Sequence, residues 1–329
     1  MIRFFNVNNP SVIVFVFFYV LLLNSALFFS SGLFPVAATH APFSNLFFSL
    51  TGFLFGNNHY VLSLLSIVLV FAQSLMMNNL VNNAKVFTNG TYVPAIIYAL
   101  LASLFTEFLF LTPVLLATLF LILAIGKALK LYKQHHAIGD IYDMSFLIGI
   151  ASLFYMPFAL LLLLVFVSLA VMRSFNWREW VAGLLGFFSI YFLTGTWFFL
   201  TDGLKEFLQQ HLFPPVAQGV AIDVRLGLYV VGILTAVLVV AASFIFLLNF
   251  LKSTIHTRKF LTLMGWTIML LPLSALLGNG LTLNHFVALS VPLCLLISYL
   301  FLTLRKVRIA NALHLLWLIA VLFFQYYHK

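Results

Sequence analysis

Glu107 is the residue of this chain best suited to chemistry. It lies in the run Ser103, Leu104, Phe105, Thr106, Glu107, Phe108, at one end of an apolar segment. A carboxylate inside a membrane segment is costly, and so becomes a functional hypothesis by default. Thr112 and Pro113 follow closely, so the same residue can also be read as reaching the membrane surface. His40 and His59 are the candidate acid–base groups to work with it. Lys205, Arg225, Asp223, Asn284 and His285 are candidate substrate contacts, with the two cations suited to a phosphate. A second group is Arg173, Trp177, Arg178 and Trp180. Two tryptophans beside two arginines fit an interfacial belt, with lipid phosphate as the chemistry they would meet. Lys127, Lys130 and Lys133 repeat every three residues on one helix face, which suits anionic headgroups. His135 and His136 stand near Asp140 and Asp143, but adjacent side chains on a helix do not converge on one ion and no metal-binding histidine spacing occurs, so no metal is expected. There is no Walker motif, dinucleotide fingerprint or G-x-S-x-G, and no cofactor is expected.

The elements that must position these groups are apolar. The chain has 329 residues, 64% hydrophobic and only 7% charged. Soluble domains carry roughly 25% charged residues, so a water-soluble protein is excluded. Apolar runs near the ~20-residue spanning length recur along the chain. Runs such as 160–172 are apolar on every face, which excludes the alternation of an outer-membrane barrel. The expected fold is all-α: a polytopic integral membrane protein with about eleven transmembrane helices, a single domain over 1–329. The net charge of +9 and pI of 9.7 follow from a positive-inside bias rather than from nucleic-acid binding. The lone Cys294 leaves no disulfide framework. Arg3, the apolar stretch 12–29 and Ala37-Ala38 resemble a signal peptide, but the length of the stretch and the ten apolar segments after it favour a retained first helix.

The expected spans are 11–30, 60–77, 93–110, 113–130, 144–156, 158–172, 181–200, 226–250, 261–277, 284–303 and 310–326. Pro157 removes a backbone donor between two short members of this series, leaving either one kinked helix or two short ones. Charge separates the two. With two short helices and a cytoplasmic N-terminus, 13 of the 16 basic residues face inside and only Lys205, Arg225 and Lys329 face out. One kinked helix would invert every later loop. The two-helix topology is therefore expected, N-terminus in and C-terminus out. Two outward loops are long, 31–59 and 201–225. The first contains a short interfacial segment around 44–50, the second a short amphipathic helix over 203–212 stopped by Pro214 and Pro215. Asn78, Asn79, Asn82, Asn83 and Asn89-Gly90 read as a polar inner turn.

Two resemblances attach to these residues. The segment 146–163, in which a glycine-containing helix meets Pro157 and a Leu-rich helix follows, resembles a stretch of GT-C glycosyltransferases; so do the basic turn 173–179 and the first outward loop. The resemblance implies transfer of sugars from polyprenyl-phosphate donors at the outer face. Such enzymes typically carry an acidic catalytic residue in the first outward loop, whereas 31–59 has no Asp or Glu, so no catalytic residue carries over. Asn82 to Pro94, Ser103 to Glu107 and Trp177 to Trp180 are similar to an uncharacterised multi-pass inner-membrane family of Bacteroidota-type bacteria, which implies an inner-membrane location and no particular activity. The leading expectation is an inner-membrane protein handling a polyprenyl-linked glycan. The alternatives are a non-catalytic scaffold or accessory subunit of an envelope complex, and a small-molecule transporter. The expected partners are membrane lipids, the linked glycan and other envelope proteins.

Overall fold

In a computed structural model the structure describes residues 5, 9–29, 41–56, 58–87, 89–132, 134, 136–212, 226–277, 283–304 and 306–327. Twelve helices of ten residues or more lie among them: α1 Val12–Leu23, α2 Pro42–Phe55, α3 His59–Asn83, α4 Val93–Ala102, α5 Pro113–Lys130, α6 Ile138–Phe154, α7 Leu162–Met172, α8 Trp177–Leu200, α9 Leu226–Phe250, α10 Ile255–Ser274, α11 Ser290–Thr303 and α12 Val307–Tyr327. A 3-10 helix, Met156–Leu161, leads into α7, and another, Leu283–Leu289, leads into α11. Seven of the described helical stretches are long and apolar enough to cross a membrane. The protein is an all-α, polytopic, membrane-embedded bundle. Each expected span holds helix among the described residues, but 93–110 is broken, with α4 ending at Ala102 and a separate turn at Thr106–Leu109; α2 covers the expected short segment 44–50 and runs over 14 residues.

The ends of these helices follow from local chemistry. Asn58, Thr112, Asn176 and Thr254 each cap a helix start, their side chains accepting a backbone N–H from the first turn, which satisfies one of the free donors there. Pro42 and Pro113 occupy first helical positions, where a missing N–H costs nothing. Gly56 closes α2 at φ 63°, the left-handed conformation that glycine tolerates. Lys127 and Lys130 sit in the last turn of α5, where cations suit the negative end of the helix dipole.

α4 is the axis of the bundle. All ten of its residues are buried, and it packs against α1, α3 and α11. Inside it, Tyr98 donates to Gln73 Oε1 at 2.9 Å, and Gln73 Nε2 donates to the Leu115 carbonyl at 2.7 Å. This relay joins α4, α3 and α5, the kind of interhelical hydrogen bond that holds apolar helices together in lipid. α6 packs between α5 and α8. The α6–α8 seam depends on glycine: a Cβ on Gly186 would stand 2.4 Å from the Tyr142 carbonyl oxygen, and one on Gly149 2.4 Å from Ile190 Cγ2. α8, α9 and α12 lie at the periphery and expose rows of large apolar side chains, such as Ile233, Val237, Val240 and Phe244 on α9.

The break at Pro157 settles the chain's course. Tyr155 ends α6 in an extended conformation, and the chain turns through Met156–Leu161. At the other ends of this pair, Arg173 Nη1 donates to the carbonyls of Gln134 at 2.6 Å and Leu131 at 3.3 Å. A single continuous helix over the same residues would separate these points by roughly 60 Å at 1.5 Å per residue. The chain reverses at the break and returns to the end it left, so these residues form two short helices and not one.

Candidate functional site

Two clusters of polar side chains stand at the two ends of α5. At the end carrying Glu107, residues 103–112 interrupt the path from α4 to α5. Pro113 disfavours helical backbone in the residue before it, and Thr112 is extended. The helical turn Thr106–Leu109 therefore stands apart from both neighbours. Its Phe108 and Leu109 are buried, Glu107 is half-buried, and the Glu107 carboxylate accepts the Thr106 hydroxyl at 3.2 Å. This turn packs against Leu283–Leu289, the segment that carries Asn284 and His285.

His285 is buried and held on both ring nitrogens. Nε2 meets the Leu271 carbonyl at 2.8 Å, so it carries the proton, and Nδ1 then accepts from the Tyr155 hydroxyl at 3.0 Å. Leu271 lies in the last turn of α10, where carbonyls lack intrahelical donors. His285 thus closes the end of α10 and pins it to the corner at Tyr155. The neighbouring Asn284 is half-buried, and its Oδ1 is buried with no hydrogen-bond partner. His59, the first residue of α3, uses Nε2 to reach the Leu27 carbonyl at 2.8 Å. Two turns further along α3, Ser66 donates to the Leu109 carbonyl at 2.7 Å, so α3 also borders the Glu107 turn. Lys205 is exposed in the turn Leu204–Glu206, whose flanking Leu204 and Phe207 pack on Leu153, Ile190 and Phe198. Among the described residues no ion pair joins Lys205 to Glu107. His40, Asp223 and Arg225 lie outside the described residues.

The structure adds a network at this end built on Asn24, Ser103 and Gln325. Asn24 Nδ2 donates to Ser103 Oγ at 3.3 Å, Gln325 Nε2 donates to the Ser103 carbonyl at 2.5 Å, and Ser25 pairs with the Tyr326 hydroxyl at 2.7 Å. These contacts tie α1, α4 and α12 together. Asn24 is the one member that stands out in the sequence, as a lone amide in an apolar run. Besides the Val20 carbonyl one turn back, its partner Ser103 is 79 positions away, and no local pattern points to it.

The opposite end is ionic. Lys127 Nζ bridges Asp140 at 3.0 Å and Asp143 at 2.7 Å, and Gln134 Nε2 donates to Asp140 at 2.8 Å. The Asp140 carboxyl is held below its ordinary range by the Gln134 hydrogen bond and then by Lys127, against the opposing effect of burial. Arg173 makes a two-pronged pair with Glu179, 2.8 Å on each arm, while its third nitrogen reaches the carbonyls after α5. Sequence reasoning groups Arg173 with Arg178, Trp177 and Trp180 as a headgroup contact. In the structure the Arg173 guanidinium is occupied by protein acceptors. Trp180 is half-buried and stacks on Phe166 at 5.2 Å. Trp177 and Arg178 are exposed, with the guanidinium 5.9 Å from the indole.

The Glu107 end thus presents hydrogen-bond acceptors, a carboxylate and an amide oxygen, on adjoining segments. The ionic end presents cations beyond those matched by carboxylates. Set against family models, curated proteins and solved structures, the chain matches none, and its reading rests on its own residues.

Proposed function

We propose that this is a bacterial inner-membrane protein, N-terminus cytoplasmic and C-terminus periplasmic, that binds a polyprenyl-linked glycan at the outer face through the Glu107 end of the bundle. One observation carries this reading: the turn holding Glu107 packs against the segment holding Asn284, whose amide oxygen is buried and unpartnered. Sugar hydroxyls are donors, and a carboxylate beside an amide oxygen is the acceptor chemistry that receives them. The exposed apolar faces of the peripheral helices suit a polyprenyl tail. The GT-C-like arrangement belongs to the same reading, with binding in place of the usual transfer chemistry. Of the expected acid–base groups, His59 is engaged on Leu27, and His285 beside them is engaged on both nitrogens, so Glu107 takes the acid–base role in this reading and orients substrate.

The test uses purified protein in nanodiscs, with native mass spectrometry reading retention of a polyprenyl-diphosphate-linked sugar against the same lipid without the sugar. Wild type should prefer the glycosylated lipid, and Glu107→Gln together with Asn284→Ala should remove the preference. Equal retention of both lipids by wild type overturns the reading.

A second reading, a non-catalytic scaffold or accessory subunit, draws on a separate observation. Polar side chains at both ends are largely engaged in holding helices together, as with His285, Ser103 and Arg173. It predicts stable envelope-protein partners on isolation in mild detergent, and isolation as a lone chain counts against it.

A further inference from the structure

At the ionic end the three described carboxylates are all matched: Asp140 and Asp143 by Lys127, Glu179 by Arg173. The cations of the first turn of α10 have no such partner. That turn holds His256 and Arg258 and no acidic residue, and Lys259 follows directly. Cations at a helix N-terminus face the positive end of its dipole, an unfavourable placement that a bound anion relieves. Lys259 Nζ donates to the Met172 carbonyl at 3.1 Å and stands 5.3 Å from the Tyr132 ring, which His256 also meets at 5.0 Å. The turn is thereby fixed against the end of α7 and the chain leaving α5. Arg258 is half-buried; its Nε is buried and has no hydrogen-bond partner. A buried guanidinium donor left unmet costs free energy, and the matching acceptor is an oxyanion. Leu251 and Ile255, 77% and 58% exposed, flank the turn with apolar surface.

We infer that the first turn of α10, with Arg258 and Lys259 as the phosphate contacts, binds the headgroup of an anionic phospholipid, whose acyl chains lie along Leu251 and Ile255. The site is at the far end of the bundle from Glu107 and is independent of the glycan reading. It also differs from the Arg173 cluster, whose arginine is tied to Glu179. Lipid is favoured over free phosphate because charge and apolar surface meet at the same turn.

The experiment places the full chain in nanodiscs of phosphatidylcholine mixed with phosphatidylglycerol and counts retained lipids by native mass spectrometry. Phosphatidylglycerol should be retained in preference, and Arg258→Gln should lower that preference about fivefold, the effect of one cation near an anionic surface. Arg258 makes no side-chain hydrogen bond among the described residues, so this variant leaves the packing intact. Lys252→Gln is the matched control: Lys252 is exposed and bonds only to Asn249 one turn back, and its loss should leave the preference nearly unchanged. An equal drop in both variants would mean a diffuse positive belt and overturn the site. Inorganic phosphate added to the detergent-solubilised protein should not displace retained phosphatidylglycerol; displacement would reassign the turn to a free anion.

Discussion

The two ends of this bundle solve the same problem with different chemistry. Both must fasten loops and helix termini where apolar packing gives out. The basic end does so with charge: Arg173 reaches Glu179 and two carbonyls, and Lys127 gathers two aspartates. The Glu107 end does so with neutral donors and acceptors: His285 between Tyr155 and Leu271, and Ser103 between Asn24 and Gln325. The difference follows the distribution of residues. Topology concentrates lysine and arginine on one side, and the few acids that accompany them become structural partners. On the other side the supply of charge is small, so amides, hydroxyls and imidazoles take the load. Where an ionisable group does remain without an opposite charge, as at Glu107 or Arg258, it stands out as a binding candidate.

The contrast can be broken most strongly at Glu179. It is almost fully buried against Arg173, so Glu179→Gln leaves a cation without its counter-charge and should destabilise by about 3 kcal/mol, read as a lowered unfolding midpoint in detergent. Replacing both partners by apolar residues, Arg173→Met with Glu179→Leu, should recover most of that loss. A double variant as unstable as the single one would show that the carbonyl contacts of Arg173 matter more than the pair. At the neutral end, His285→Phe keeps the ring and removes both hydrogen bonds. It should cost roughly 1–3 kcal/mol and raise hydrogen exchange at the end of α10 and around Tyr155 while leaving the basic end unaffected. The smallest expected effect is on acidification. Because the Asp140 carboxyl is held below its ordinary range, its contribution is present above the unfolded carboxylate pKa and fades as pH falls through the lowered folded value. The pair is partly solvated, so the loss should stay under about 1 kcal/mol, and Asp140→Asn should abolish that part of the acid response.

Much of the fold is legible along the chain because lipid imposes a local rule. A spanning helix must satisfy its own backbone within one continuous apolar segment, so its position shows in composition alone. The α6–α7 hairpin is a harder case that still yields to sequence. Pro157 marks the break, and only an out-and-back path keeps the basic residues on one side. The site is less legible. Glu107 is visible as a carboxylate in an apolar run, but its association with the 283–289 segment joins residues far apart in the chain. His285 is a candidate ligand by residue type and becomes a helix-end cap once Leu271 and Tyr155 are beside it. Arg173 and Arg178 are equivalent by composition, yet one is tied to Glu179 and the other is exposed.

By itself the sequence determines that this protein lives in a membrane, that it is helical, and that its cations cluster toward one end, because burial of apolar length and partition of charge act segment by segment. Only the tertiary structure decides which polar groups hold helices together and which are left to meet a ligand. That choice depends on donor and acceptor standing about 3 Å apart, and residues separated by as many as 301 positions, as with Ser25 and Tyr326, reach that distance only when the bundle closes.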